Sequence, residues 1–599
     1  MSADFEKVLV KDPRLDVTDS IKYAVIKGGQ NVTNAKFKAV SASSSQLVFN
    51  VQVPSEQTII DRRVLLRAEL AVKVSSAGGL ANSIVCYSVN AALASFPLHQ
   101  CFDTLSATIN NNTVTCNIKD VLPAILRLMD DDDMCYHNGM SPAFNDIVGL
   151  YYTNLPADDL SFLASGNSGI WGVTDQKRFH RGCFPIKANS AAFGKEAVSE
   201  NVIKYYVTEP LLLSPFMFAK TKANNQGFYG IQNMNIVANL NNGARAFRGP
   251  TVGAPSFLNP SGTTGANGIT GIYVNMWGDD GTIKVAAPEL LFTFLTPHPS
   301  DLMPARNIVP YYELPRYING SQPELPASVL LNGALTKSSV MAQFNAVQLN
   351  QIPDRLILFT RIKPSASNGW GIAEVALPIK SISINFNNNS GILASATQQE
   401  LWQMSKNNGA NTTWAEFQGY GTSVGNSGGV DTGPKVNAVP LSGSYLILEF
   451  GKDIQLTEDF YASGSLGNFN LQCDVVVENN TIYAAAASDW ELVLITMNSG
   501  VFVCERGTSA TYTGILTKQD VLEASAQEYY THDDVKRLVG GGFWDSIKSG
   551  VSSLAKKGME KGKAHLQKHG KSYAHAGMNM AKSYAKNALS KYTSPEQEE

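Results

Sequence analysis

The sequence predicts an all-β protein built from two antiparallel β-sandwiches in tandem. Three observations support this fold class. Apolar residues recur with a period of two along many short segments, and helical segments are few. A succession of strand, Asn-rich turn, short helix and long loop occurs once in each half of the 599-residue chain, which indicates a duplicated β-unit. The chain is too long for one core, and its 44% apolar and 17% charged residues are those of a globular protein.

In the first half, residues 64–74 (VLLRAELAVKV) alternate from Leu66 to Val74, as a half-buried strand does. Residues 104–118 (TLSATINNNTVTCNI) contain two alternating runs around an Asn-rich turn and therefore predict a hairpin. A helix, KDVLPAILRLMD, is predicted directly after it at Lys119–Asp130.

The second half repeats this order. Residues 381–393 (SISINFNNNSGIL) predict a hairpin, and TQQELWQMSKNN predicts a helix over Thr397–Asn408. Residues 468–480 (NFNLQCDVVVENN) alternate as a strand, and residues 443–456 (GSYLILEFGKDIQL) form a long strand candidate. Between the halves, five prolines in residues 297–315 disfavour helix and central strand, so a linker is expected there.

Jelly rolls are the usual large sandwiches that carry long loops, so two of them are predicted. The expected organisation follows the composition along the chain. It comprises an N-terminal arm (1–20), a first jelly roll (21–298), a Pro-rich linker (299–318), a second jelly roll (319–530), a glycine-ending linker (531–541) and a basic helical tail (542–599).

Catalytic motifs are not evident. The sequence contains no P-loop, G-x-S-x-G or H-E-x-x-H pattern, and the seven scattered cysteines include no CxxC pair. We therefore expect no enzyme activity, no cofactor and no metal. His565 and His569 have i, i+4 spacing but no evident third ligand. The run Asp130–Asp133 fits a solvated acidic loop, with a divalent cation site as the alternative.

Two other functional classes remain as alternatives. Tryptophans in Gly-rich loops could stack on sugars, as in a lectin-like carbohydrate-binding sandwich, or could anchor their loops; they are Trp171, Trp277, Trp370 and Trp414. A cupin-type metalloenzyme is disfavoured because the histidines do not cluster. The N-terminal twenty residues lack the apolar run of a signal peptide, and no run of 18 apolar residues suggests a membrane span.

The chain resembles the double jelly-roll major capsid proteins of the virophage and Polinton-like virus lineage. Five segments in this order and spacing carry the resemblance: VIKGGQNV (25–32), SEQTIIDRRVLL (55–66), FPLHQCFDTLSATINNNTVTCNIKDVLPAILRLM (96–129), LEFGKDIQL (448–456) and LGNFNLQ (466–472). It implies two eight-stranded jelly rolls and homotrimers that form pseudo-hexameric capsomers. These would tile an icosahedral virion shell around double-stranded DNA, assembled inside the host cell with penton and minor capsid proteins.

The resemblance also implies a maturation site. Relatives carry a viral cysteine protease that prefers Leu, Ile or Met, any residue, and then Gly-Gly or Gly-x-Gly. Leu538, Gly540, Gly541 and Gly542 match this pattern, with the cut after Gly541. Glycines suit a protease groove because an extended backbone enters it without side-chain clash. A plain flexible hinge is the alternative reading.

The tail that follows is basic and amphipathic. From residue 543 it has ten lysines and five acidic residues, so it carries +5 whereas the rest of the chain carries −8. Five apolar residues at its start predict one helix face: Phe543, Trp544, Ile547, Val551 and Leu554. Recurrent glycines disfavour a free helix, so the tail should fold only against a partner. Interior scaffolding, contact with an anionic membrane and contact with DNA all remain open.

Overall fold

The computed structural model describes residues 9–10, 25–26, 32–76, 85–87, 92–93, 96–129, 184–186, 200–217, 227–248, 269–296, 306–331, 334–363, 376–425, 435–440, 443–456, 462–479, 490–505 and 507–514. The described residues fall into two compact units: one lies within 1–348, 353–455 and 470–513, and the other comprises the described residues of 349–352, 456–469 and 514. Within the second unit, the backbone N–H of Ile352 donates to Ser465 and its carbonyl accepts from Gly464.

The first half contains seventeen described strands and two α-helices. They are β1 Leu9–Val10, β2 Val25–Ile26, β3 Val32–Lys38, β4 Ser41–Ala42, β5 Gln46–Gln52, β6 Ile59–Ile60, β7 Leu65–Ser76, β8 Val85–Tyr87, β9 Ala92–Leu93, α1 Pro97–Gln100, β10 Phe102–Ile109, β11 Asn112–Cys116, α2 Ile118–Leu128, β12 Phe184–Ile186, β13 Glu200–Pro210, β14 Asn233–Leu240, β15 Phe247–Arg248, β16 Ile269–Asn275 and β17 Glu289–Leu295.

The second half contributes fourteen described strands and two α-helices. They are β18 Arg306–Glu313, β19 Arg316–Asn319, β20 Val329–Leu331, β21 Ala334–Thr336, β22 Ser339–Gln351, β23 Arg355–Ile362, β24 Ile379–Phe386, β25 Asn389–Ile392, α3 Gln398–Asn407, α4 Trp414–Gln418, β26 Tyr420–Gly425, β27 Lys435–Pro440, β28 Leu446–Glu449, β29 Leu466–Glu478, β30 Trp490–Glu505 and β31 Thr508–Thr513.

The main sheets of each half have jelly-roll strand order. In the first half the orders are β13-β7-β17-β3 and β11-β10-β14-β5-β4, so β17 lies between β3 and β7, and β14 lies between β5 and β10. In the second half they are β18-β30-β23-β28 and β22-β29-β24-β25, with β30 and β29 in the equivalent positions. The predicted pair of eight-stranded jelly rolls is confirmed.

Local sequence explains these elements. Leu66, Ala68, Leu70 and Val72 of β7 are all buried, as the period of two predicts. The two hairpins turn through Asn110 and Asn387, which have φ of 53° and 52°. Asn tolerates this left-handed conformation better than other residues with a β-carbon. The predicted helices are present as α2 and α3.

Helix α3 begins at a capping box. The Thr397 side chain accepts from the Glu400 N–H, and the Glu400 carboxylate accepts from the Thr397 N–H. The second-half hairpin therefore leads into a helix whose start is fixed by its own sequence.

Two local predictions need correction. The linker predicted at 299–318 is wrong for residues 306–313 and 316–318, which lie in strands β18 and β19. Proline is tolerated there because β18 is an edge strand, which can lose an N–H without breaking the ladder. The long strand predicted over 443–456 is only β28, because the chain turns at 451–453. Helices α1 and α4 are too short to show a helical period in the sequence.

Several predicted features lie outside the described residues. They are the run Asp130–Asp133, Trp171, Trp370, the cleavage motif at 538–542, the apolar face at 543–554 and the remainder of the tail. Within the described part of the chain, no helix is long and apolar enough to cross a membrane.

Candidate functional site

The two jelly rolls meet, within one compact unit, around a buried ionic cluster. Asp120, in the first turn of α2, accepts hydrogen bonds from Arg361 Nη2 at 2.5 Å and Arg316 Nε at 2.7 Å. Arg361 Nε also donates to Glu491 at 2.7 Å. The first jelly roll supplies Asp120, and strands β19, β23 and β30 of the second supply the others. The cluster therefore joins the two rolls through charge.

The charged groups of this cluster are buried from solvent. Arg361 is 2% exposed and Asp120 is 4% exposed. Burial alone would lower the pKa of Arg361, but the carboxylates of Asp120 and Glu491 outweigh it and hold that pKa above its ordinary value. Removing one partner of a buried pair leaves an uncompensated charge, which typically costs about 3–5 kcal/mol. Loss of any one of these charged groups should therefore destabilise the junction.

The first Asn-rich turn forms a second part of the junction. Asn111 Oδ1 accepts from the Ser509 N–H of β31 at 2.9 Å, and Ser509 Oγ donates to the Ile109 carbonyl at 2.5 Å. Asn110 bonds back to residues 230 and 232 of its own roll, at 3.0 and 2.9 Å. The turn that closes the hairpin thus also attaches the first roll to the last described strand.

Apolar contacts fill the rest of the junction. Ile357, Phe359, Val493 and Ile495 belong to the same continuous cluster of buried side chains as the core of the first roll. Their neighbours along the strands, including Leu356 and Leu494, are also fully buried. The β23–β30 part of the sheet is therefore buried on both faces, which explains its near-continuous apolar sequence.

Helix α2 of the first roll also contacts residues of the second roll. The Arg127 guanidinium lies 4.5 Å from the centre of the Tyr445 ring, and the Arg127 carbonyl accepts from the Asn411 N–H at 2.7 Å. Further along the junction, Phe228 of the first roll meets Phe502 of β30 edge to face, with ring centres 6.0 Å apart.

A second buried polar group lies within the first jelly roll. His99 and Glu209 are both fully buried, and Glu209 accepts from the N–H groups of Leu98 and His99 and from His99 Nδ1. His99 Nε2 accepts from the Leu212 N–H, so both of its nitrogens are occupied. Among the described residues, no group of His, Cys, Asp and Glu could hold a metal ion.

The described cysteines and tryptophans also have structural surroundings. Burial raises the pKa of Cys116 and of Cys504 to about 12, so both remain thiols. Trp414 is half-buried and meets Trp402 edge to face, at 5.8 Å between ring centres. Trp277 packs in the same way on Tyr273.

The sequence did not reveal the junction residues. Asp120 and Arg361 are 241 positions apart, and no sequence pattern links the two. The sequence predicted only the helix itself, and its largely apolar composition was the one signal that could have indicated a buried position. The cleavage motif and the tail face, which the sequence did single out, lie outside the described residues.

A tandem pair of jelly rolls joined by a buried junction defines a double jelly-roll protein. The family described as Sputnik virophage major capsid protein 1st domain matches residues 3–294, and the family described as major capsid protein V20 C-terminal domain matches residues 314–500. The chain therefore belongs to the virophage-type major capsid proteins, as the resemblance predicted.

Individual relatives agree with this assignment. The Sputnik virophage capsid protein V20 is 27% identical over 562 residues, which span 90% of this chain and 85% of that protein. A chain of the 3.5 Å cryo-EM structure of the Sputnik virophage aligns with a TM-score of 0.67 and 24% identity, over 89% of this chain and 98% of that one. The mavirus major capsid protein aligns with a TM-score of 0.60 and 12% identity, over 83% and 93%. At these identities the structural matches establish the fold.

Proposed function

We propose that three copies of this major capsid protein form a pseudo-hexameric capsomer, and that such capsomers tile an icosahedral shell around double-stranded DNA. Penton and minor capsid proteins would complete the shell, and assembly would take place inside the host cell. The protein acts in this proposal by self-association and performs no reaction.

The observation that carries the proposal is the buried junction. Two jelly rolls of the same strand order are held together by the Asp120–Arg361 cluster and a shared apolar core. Three such rigid pairs supply six similar sandwiches, the number that a pseudo-hexameric ring requires. A flexible link between the rolls would not fix their relative orientation.

The test is the mass and shape of the purified full-length protein. Light scattering after size exclusion should give three times the chain mass of 64.6 kDa, and negative-stain electron microscopy should show six-lobed particles and hexagonal arrays. A stable monomer at micromolar concentration would falsify the proposal. A monomer that binds a glycan would instead favour the lectin-like alternative.

We also propose an N-terminal arm (1–20), a first jelly roll (21–298), a second jelly roll (306–530), a glycine-ending linker (531–541) and a basic tail (542–599), with β18 and β19 opening the second jelly roll. A viral cysteine protease would cut after Gly541 and release the basic tail. Support comes from the spacing of Leu538, Gly540, Gly541 and Gly542 ahead of a segment of different composition. Before cleavage, the tail would act as an interior scaffold, or would contact membrane or DNA.

Mass spectrometry of purified virions tests the cleavage. Mature particles should contain a chain ending at Gly541, and Gly541→Val should retain the tail, since a β-branched residue does not fit a glycine-selective groove. Uncut chains in infectious particles would exclude cleavage. A peptide of residues 542–599, offered separately to anionic vesicles and duplex DNA, distinguishes the partners; binding to neither, with assembly lost on tail deletion, supports the scaffold role.

A further inference from the structure

A polar cleft of about 440 Å³ opens beside the ionic cluster of the junction. It lies between the start of α2 in the first roll and strands β19, β23 and β30 of the second. Sites for small molecules typically measure about 300–1,000 Å³, so the cleft has room for a ligand. Ile318 is the one apolar residue that lines the cleft within the described part of the chain, so the lining suits a charged ligand.

The lining of the cleft carries more positive than negative charge. Four cationic side chains and three carboxylates give it a net charge of +1; they are Lys119, Arg316, Arg361 and Lys363, and Asp103, Asp120 and Glu491. Arginines pair with both oxygens of Asp120, and Arg361 also pairs with Glu491. These two carboxylates are therefore engaged within the protein, which favours an anion over a cation as the ligand.

Within the described residues, the cations keep hydrogen-bond donors that no protein group uses. Arg316 reaches Asp120 through Nε, which leaves its two terminal amino groups available. Lys363 Nζ donates only to the Gly320 carbonyl, at 2.9 Å. Lys119 Nζ lies 3.5 Å from Asp103 Oδ1, which is longer than the roughly 2.7–2.9 Å of a charge-assisted hydrogen bond.

Arg361 adds a buried donor that lacks an acceptor. Its Nε and Nη2 bind Glu491 and Asp120, but its Nη1 has no hydrogen-bond partner in the described part of the chain. The side chain is only 2% exposed. Buried polar groups almost always have a partner, and an ordered ion or water supplies it where the protein does not. This nitrogen therefore indicates, independently of the net charge, that a bound acceptor completes the cluster.

The N-terminus of α2 contributes further donors. A helix leaves its first N–H groups without an intrahelical partner, and the positive end of its dipole favours anions. The side chain of the N-cap residue Asn117 makes no capping hydrogen bond. Asn117 and Lys119 line the cleft, so the open end of this eleven-residue helix lies where the cationic side chains converge.

We propose that the cleft binds one inorganic phosphate ion. The start of α2 and the unused donors of Arg316 and Lys363 match the oxygens of this ion. Asp103 selects the anion, because its Oδ1 has no hydrogen-bond partner among the described residues. At neutral pH inorganic phosphate retains a proton that it donates to this carboxylate, whereas sulfate has no proton to donate.

A phosphate ion at this position contacts both jelly rolls. Lys119 belongs to the first roll, and Arg316 and Lys363 belong to the second. A ligand that binds only the folded chain stabilises it by mass action. The junction should therefore be more stable where phosphate is abundant, and this inference does not depend on the proposed trimer.

Isothermal titration calorimetry of the full-length protein tests the site. At pH 7.5 and constant ionic strength, inorganic phosphate should bind saturably with one ion per chain. Sulfate should bind at least about tenfold more weakly, because it leaves Asp103 without a donor. Phosphate should also slow hydrogen exchange in peptides that contain residues 117–121 and 316–319. Absence of saturable binding, equal binding of sulfate, or protection confined to other peptides would overturn the proposal.

A pair of lysine substitutions locates the ion. Lys119→Gln combined with Lys363→Gln should weaken phosphate binding at least about tenfold. The matched control combines Lys284→Gln with Lys380→Gln, because these lysines are 84% and 56% exposed and do not line the cleft. Equal weakening in both pairs would assign the effect to net charge and overturn the site. Because the exchange measurement uses the unchanged chain, it decides the site even where a variant fails to fold.

Asp103→Asn tests the selectivity for phosphate. The amide can donate to an unprotonated oxygen, so this variant should bind sulfate and phosphate with similar affinity. Adenosine monophosphate distinguishes a free ion from the phosphate of an ester. Its phosphate is mostly unprotonated at pH 7.5, so the wild type should bind it as weakly as sulfate. Unchanged discrimination in Asp103→Asn, or adenosine monophosphate that binds as tightly as inorganic phosphate, would refute the assigned ligand.

Discussion

Loss of the central carboxylate should weaken the junction between the jelly rolls far more than loss of a surface charge. Asp120→Asn keeps the shape of the side chain but removes the charge that faces Arg316 and Arg361. Breaking a buried pair costs about 3–5 kcal/mol. We expect the lower end of this energy range, because Glu491 still accepts a hydrogen bond from Arg361 in the variant. We therefore expect a loss of about 3 kcal/mol in the free energy of unfolding.

The assay is urea denaturation followed by intrinsic fluorescence, combined with hydrogen exchange of peptides from α2 and β23. The matched control is Asp279→Asn, because Asp279 pairs with Lys284 at 3.3 Å where the two side chains are 51% and 84% exposed. Exposed pairs contribute at most about 1 kcal/mol. Faster exchange confined to α2 and β23 would support a role in the junction. If the two variants lose equal stability, the cluster does not hold the rolls together.

Three further outcomes follow from local geometry. Glu209→Ala should cost about 3 kcal/mol or more by thermal melting, since it orphans three buried donors at about 1–3 kcal/mol each; an unchanged melting temperature would contradict this. Gly443→Ala should destabilise more than Gly391→Ala: both glycines have positive φ, but only the first would place a Cβ against the Ala376 carbonyl. Burial raises the pKa of Asp354, so the folded protein binds a proton there more tightly than the unfolded chain does. The free energy of unfolding of the wild type, relative to that of Asp354→Asn, should therefore be greatest in acid and should decline as the pH rises through the folded pKa. A difference that stays constant between pH 3 and 8 would refute this.

The alternation of apolar and polar residues predicted the sandwiches, because a strand with one buried face has apolar residues at every second position. The alternation in residues 469–477 corresponds to five buried side chains of β29. The two Asn-rich turns were equally readable, since each needs a residue that tolerates positive φ. Both signals are local, and both were confirmed.

Ion pairs between residues far apart in the sequence could not be predicted in this way. Nothing near Arg361 in the sequence indicates that its partner is Asp120, since only the tertiary fold brings the two together. The density of prolines gave a wrong prediction of a linker. Prolines disfavour a central strand, but they do not prevent a segment from pairing as an edge strand. Pro310 accordingly lies within β18 while that strand pairs with β30.

Helices α2 and α3 occupy equivalent positions in the two jelly rolls but differ in burial. Each follows an equivalent hairpin, yet nine of the eleven residues of α2 are buried, whereas in α3 only Leu401 and Ser405 are. The difference is already present in the sequence, since KDVLPAILRLM is apolar on most sides and QQELWQMSKN is polar on most. A helix that only covers its own sandwich needs one apolar stripe, but a helix between two sandwiches needs more. In a tandem repeat, the more apolar member of a pair of equivalent helices therefore indicates which repeat lends its helix to the junction.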